Sequence, residues 1–266
     1  MKTISDLIAD FEKSKGSSAI FITAGMNRST YQAVEDFCYR VPSKIDALTL
    51  LLETGGGSLE YAERISCVLR DVSASLDVIV LSECMSAGTP LSLSGDKLWM
   101  DKYAVLGPTD LQYGGVGSSL GYLKKYHDMA HKAQPYGDCD NGDLTNIERD
   151  LFLQTFDPAF INTIECEKKY SEDLICEYLT KYHGYKQRES RRIGEKFNDI
   201  DHWCTHGRFI NRDTLGSKDF GLKYEKAEEQ KWIHEARDCS KVIAKSLYPH
   251  CGVVATSGSY TPIYRF

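Results

Sequence analysis

Three groups of residues in this chain could do covalent chemistry together. The first is Ser86, within "LSECMSAGTPLSLSG" (81–95), where a β-type run gives way to small residues. A serine at a strand-to-helix turn presents its hydroxyl at the helix N-terminus. There the macrodipole and unpaired N–H groups stabilise developing negative charge. The second is the glycine run of "LLETGGGSLEYAERI" (51–65). Glycines between strand and helix let backbone N–H groups approach a ligand closely. The N–H of Gly56 and the N–H of Ala87 would form an oxyanion hole. Gly57, Gly88 and Ala87 leave room for a substrate backbone. The third is "GYLKKYHDMAHKAQPY" (121–136), which offers Lys124, Lys125, His127, His131 and Lys132 as bases. A Ser–His–Asp site would use a histidine oriented by Asp128, Asp138 or Asp143. A Ser–Lys dyad would need a lysine desolvated from about 10.4 to about 7–8.

Each group also has a plainer reading. Ser86 alone is most economically a helix cap. The glycines alone are a flexible turn; they match neither GxxxxGK[ST] nor GxGxxG, so nucleotide binding has little support. The Lys- and His-bearing segment alone is a solvated amphipathic helix. Two further clusters are weaker still. "HWCTH" (202–206) puts His202, Cys204 and His206 at alternate positions, a zinc-like pattern on a strand. No fourth ligand lies nearby in sequence, so packing is the expected role. "DCDNGD" (138–143) fails the calcium-loop template, because its glycine is one position early and the twelfth position lacks Glu.

These residues need a scaffold, and the sequence supplies one. "SAIFIT" (18–23), "DALTLLLET" (46–54), "LDVIVLSE" (76–83) and "DKLWMD" (96–101) read as strands. Between them, 27–41, 58–72 and a short 87–95 segment read as helices, the first capped by Ser29 or Thr30. Such alternation predicts βαβ units around a mostly parallel sheet. Chemistry in these folds sits beyond the carboxyl ends of the strands, where the glycine run and Ser86 both lie. From about 117 to 200 the pattern turns helical, with a Thr145–Glu148 capping box and Gly184 as a C-cap. Residues 207–229 read as strand, short helix and strand. The Gly-, Ser- and Pro-rich tail from Lys245 reads as a partly ordered extension. A main domain over 1–230 and a C-terminal helix with an irregular extension over 231–266 are expected.

Composition narrows the classes. The chain has 266 residues, 42% hydrophobic and 26% charged, with net charge −6. That is a globular mix with room for a large core. Its basic residues form no stripe, so a nucleic-acid partner is not expected; "KQRESRR" (186–192) reads as a solvated helix face. No apolar run approaches the ~20 residues of a membrane span. The acidic N-terminus lacks a signal-peptide core, and a cytoplasmic location is expected. Nine cysteines without a CxxC pair predict reduced, mostly buried thiols.

Three blocks together resemble the Clp-protease-like superfamily, and within it the serine dehydrogenase proteinase and signal peptide peptidase A families. They are "LTLLLETGGGSLEYAERI", "VIVLSECMSAGTPLSLSGDKLWMDKYAVLGPTDLQ" and "HGRFINRDTLGSKDFGLKY", spread over about residues 18–225. Gly55 and Leu111 stand where the families commonly have proline. The resemblance implies a Clp/crotonase-like α/β fold of repeated ββα/βαβ units. It implies Ser86 as nucleophile, with Gly56 and Ala87 as oxyanion donors. The Clp-type histidine is absent from "VLGPTD", and the peptidase A pattern puts Lys132 in the role of base. Lys124, Lys125 and His131 remain alternatives. The expected activity is that of a serine peptidase acting on peptide or protein, without metal or other cofactor. A homo-oligomer is expected; whether an ATPase or membrane protein assists is open. The competing readings are a crotonase-type acyl-CoA hydratase or isomerase and a catalytically silent oligomeric scaffold.

Overall fold

The structure is a computed structural model and describes residues 3–110, 112, 119–132, 154, 157–247, 252–256 and 263–265. Side chains of 119, 130–132, 246–247 and the last two segments are not part of that description. The Thr145–Glu148 capping box and the 138–143 cluster therefore lie outside the described residues.

Apolar alternation in the strands builds two cores, one on each face of a single sheet. The strands are β1 (Ser18–Thr23), β2 (Ile45–Glu53), β3 (Ser73–Val80), β5 (Lys97–Met100) and β8 (Glu225–Lys226), all parallel in that order. Ile20, Ile22, Leu50, Leu52, Val78 and Val80 point to one core. Ala19, Phe21, Leu51 and Ile79 point to the other. A run that is apolar at every position is what a sheet covered on both faces requires.

Helices α2 (Arg28–Arg40), α3 (Leu59–Val72) and α4 (Gly88–Ser92) make the crossovers after β1, β2 and β3. Their buried residues Val34, Phe37, Ile65, Leu69 and Leu91 close the first core. Helix α1 (Ile4–Lys15) and the C-terminal helix α10 (Ile233–Leu247) cover the second face, through Ile8, Phe11, Trp232, Ala236 and Ile243. Asn27, not Ser29 or Thr30, caps α2: its side chain accepts the Thr30 N–H at 2.9 Å. Thr30 is instead buried, its hydroxyl donating to the Gly25 carbonyl at 2.7 Å.

The helical stretch after α5 (Ser119–Lys132) includes α6 (Pro158–His183), one helix of 26 residues. Gly184 ends it in the left-handed conformation, φ 67°, as expected. Helix α7 (Gln187–Phe197), the short α8 (Ile200–Trp203) and α9 (Arg212–Leu215) follow. A second small sheet joins β4 (Glu83–Cys84), β6 (Val105–Leu106) and β7 (Ile210–Asn211). The tail differs from its expected irregularity. Strands β9 (Gly252–Thr256) and β10 (Ile263–Arg265) extend the main sheet antiparallel beyond β1. The edge of β1 offers unpaired backbone groups, and an apolar "VVAT" segment can satisfy them despite flanking Gly and Ser.

No helix among the described residues is long and apolar enough to cross a membrane. Of the seven cysteines described as free, Cys84, Cys176 and Cys239 are buried, Cys38 is half-buried, and Cys67, Cys166 and Cys204 are exposed. Burial is thus less general than the sequence predicts. Where it occurs it acts on the thiol: desolvation pushes Cys38 and Cys239 up to about 12.

A charged pair ties α10 to the end of β5. The Arg237 guanidinium donates through Nε and Nη2 to the Asp101 carboxylate at 2.8 and 2.6 Å. Burial pushes the Asp101 pKa up, but Arg237 and the Lys102 N–H together pull it below the ordinary carboxylate value. Its folded pKa is therefore depressed. The pair's stabilisation is full above the unfolded pKa, about 3.9, and is lost as pH falls through the folded value. Urea midpoints of wild type and Asp101→Asn should differ at pH 7 and converge below about pH 4. A pH-independent gap would show that the contribution is not ionic.

Candidate active site

The cleft that holds Ser86 is built where β2, β3 and their crossovers end. The Thr54 N–H donates to the Glu83 carbonyl, and the Met85 N–H to the Thr54 carbonyl, at 3.0 and 2.8 Å. These bonds lock the glycine run beside the serine turn. Gly88 N–H then bonds the Met85 carbonyl, and Thr89 N–H the Ser86 carbonyl. Ser86 sits at the apex with φ 50°. A non-glycine residue in that region is strained, and such strain persists only where surrounding bonds impose it. Its side chain makes no hydrogen bond to any described residue, so it is not the cap that the plainest sequence reading expects.

The glycines divide the work among themselves. The Gly56 N–H donates to Thr54 Oγ1 at 3.0 Å, and the Gly56 carbonyl accepts the Met26 N–H at 2.7 Å. Gly56 is therefore engaged, and the expectation that its N–H faces the substrate gives way. Its neighbour Gly57 lines the cleft, and among the described residues its N–H donates to no acceptor. Gly57 has φ 134°, and a Cβ there would collide with the Met26 carbonyl oxygen. Only glycine can hold this N–H where it is. The Ala87 N–H, at the start of α4, is likewise without a described acceptor, and Ala87 lines the same cleft. Gly88 is buried behind the turn against Thr54 and Cys84 and does not line the cleft.

The cleft, about 460 Å³, is lined also by Asp110, Gln112 and His206. Asp110 is 2% exposed; its Oδ1 is 2.9 Å from His206 Nδ1, and its Oδ2 accepts Gln112 Nε2 at 2.9 Å. Thr89 helps to carry Asp110 here: its hydroxyl donates to the Gly107 carbonyl at 2.8 Å. The Thr109 N–H donates to the Phe197 carbonyl at 3.0 Å. His206 follows α8, whose Trp203 is buried and donates Nε1–H to the Lys196 carbonyl at 2.6 Å. Cys204 then turns the chain through φ 62°. A carboxylate that accepts Nδ1–H leaves the Nε2 lone pair available, the tautomer a general base needs.

The candidate bases lie differently. Lys124 pairs with Asp201 at 2.6 Å, in a separate depression lined by His127, Glu165 and Lys196. This exposed carboxylate raises the Lys124 pKa, opposite to what a base needs. Lys125 is exposed and lines neither depression. The side chains of His131 and Lys132 lie outside the described residues. The zinc-like alternation is also not built: 200–203 is helical, His202 stacks edge-on against Trp203, and His206 turns to Asp110. No group of three metal-ligating side chains occurs among the described residues. Sequence reasoning gave Asp110 and Gln112 no role in the site, and met His206 only in the zinc-like alternation.

Residues 35–133 match the family of ClpP-like SDH-type serine proteinases. This is the superfamily that the three sequence blocks resemble, and the matched stretch runs from α2 to α5. It contains the glycine run, Ser86 and Asp110; His206 lies beyond it. Two uncharacterized proteins of Methanocaldococcus jannaschii are 40% identical over 75 residues and 37% identical over 67 residues. These stretches cover 28% and 25% of this chain, and the chain spans about a quarter of each relative, 26% and 23%. Among solved structures, a ClpP1 variant from Listeria monocytogenes aligns with TM-score 0.41 at 13% identity. That alignment covers 79% of this chain and 91% of the other.

Proposed function

We propose that this protein is a serine peptidase in which Ser86 attacks the peptide carbonyl. The reading is carried by one observation: the strained Ser86, two N–H groups without described acceptors and an Asp110-held imidazole line one cleft. Ser86 Oγ forms the bond to carbon as its proton passes to His206 Nε2. Gly57 and Ala87 N–H groups hold the oxyanion, each donor worth about 100–1000-fold in rate. The imidazolium then protonates the leaving amine, and water hydrolyses the acyl-enzyme by the same route. Asp110 keeps the ring in its tautomer and stabilises its charge. The family match over 35–133 supports peptidase chemistry. Assembly as a homo-oligomer and a cytoplasmic location belong to the same proposal.

A fluorophosphonate probe tests the nucleophile. The protein should gain one probe mass, mapped to the peptide bearing Ser86. Absence of labelling would favour the hydratase or isomerase, or the silent scaffold. Asp110→Asn tests the triad's geometry. It should keep the fold but lower kcat by about 10⁴, because an amide cannot hold the required tautomer. An undiminished kcat would sink the orienting role.

The resemblance offers a different base, Lys132, in a Ser–Lys dyad. The two versions share Ser86 and the oxyanion donors and differ in one side chain, so paired substitutions separate them.

A further inference from the structure

The same cleft carries an unbalanced charge. Glu60, in the first turn of α3, and Glu167, on α6, both line it with Ser86. Neither carboxylate has an ion pair among the described residues, whereas Asp110 is held by a hydrogen bond from His206. No lysine or arginine among the described residues lines the cleft. Glu167 feels its surroundings: desolvation, then the charge of Glu60, push its pKa up. Beside it, one helical turn on, Ser171 lines the cleft and is 2% exposed, and its hydroxyl has no hydrogen-bond partner among the described residues. A buried polar atom left without a partner is costly, and a ligand donor or acceptor would satisfy it.

We propose that this end of the cleft is a subsite for a basic side chain, lysine or arginine, of the substrate peptide. The proposal rests on the peptidase reading and adds its substrate class. Two carboxylates that repel each other are a poor host for an apolar or acidic group. They suit an ammonium or guanidinium, which offsets one of the two negative charges, relieves their repulsion and gives the Ser171 hydroxyl a donor. Glu60 at a helix start is also stabilised by the α3 dipole, which accounts for its presence there but not for Glu167 opposite.

The test uses three otherwise identical fluorogenic peptides carrying lysine, norleucine or glutamate at the position before the scissile bond, and at its neighbours. Wild-type kcat/KM should favour lysine over norleucine by about tenfold, and more over glutamate, with preference weakening at high salt. Glu60→Lys combined with Glu167→Lys should reverse the order to favour glutamate, a result a merely structural role would not give. Equal cleavage of all three by a protein that labels at Ser86 would overturn the subsite and leave the peptidase reading standing. If no peptide is cleaved, binding of the same peptides to Ser86→Ala, read by fluorescence anisotropy, decides. Tighter binding of the lysine peptide, lost in the doubly reversed variant, supports the subsite; equal binding overturns it.

Discussion

Ser86→Ala should lower kcat for peptide hydrolysis by about 10⁴–10⁶ and abolish fluorophosphonate labelling, with the urea midpoint almost unchanged. The separation of the two effects follows from the structure. Alanine and serine bear a similar cost at φ 50°, since the clash there comes from Cβ, which both possess. The hydroxyl makes no hydrogen bond to a described residue, so its removal leaves no partner unsatisfied. What is lost is the nucleophile alone. Some catalysis over water would remain, because Gly57 and Ala87 N–H groups would still polarise a bound carbonyl. A variant retaining more than about a tenth of wild-type kcat would assign the chemistry elsewhere.

The parts of the site legible in the sequence are those fixed by local chain geometry. Ser86 and the glycine run lie within single strand–turn–helix segments, and apolar runs on either side announce those segments. Gly56 and Gly57 illustrate the limit. Both are adjacent, small and between strand and helix, so sequence cannot tell which N–H is free. The Thr54 hydroxyl decides, by occupying Gly56 at 3.0 Å. His206 illustrates a larger limit. It meets Asp110 across 96 residues of chain, through α8 and a left-handed Cys204. Read as a strand, "HWCTH" put three candidate ligands on one face; read as a helix end, it sends His202 to Trp203 and His206 to the cleft. The alternation gave no sign of which. The tail misled for a related reason. Its composition is that of a loop, while its pairing is dictated by the open edge of β1, a partner distant in sequence.

The base is where the two versions of the mechanism diverge, and the divergence is measurable. With His206 as base, His206→Ala should lower kcat nearly as far as Ser86→Ala, by about 10⁴–10⁶. The Ser86→Ala/His206→Ala double variant should then be no slower than either alone, because the two groups act as one unit in the proton transfer. Lys132→Ala should retain most of wild-type kcat. Removing the half-buried imidazole also leaves space beside Asp110, so added imidazole should restore part of the activity of His206→Ala. It should not restore Ser86→Ala. The opposite pattern, full loss in Lys132→Ala with His206→Ala within tenfold of wild type, would assign the proton to the lysine. His206 would then be a half-buried partner of Asp110, and its loss would appear in the urea midpoint instead of in kcat. Stripping one partner from that pair leaves the 2%-exposed Asp110 carboxylate with only Gln112 as a described side-chain donor, which is destabilising whichever base is used. The midpoint of His206→Ala should therefore fall in both cases. Only kcat, corrected for the folded fraction, and the imidazole response distinguish a base from a structural histidine.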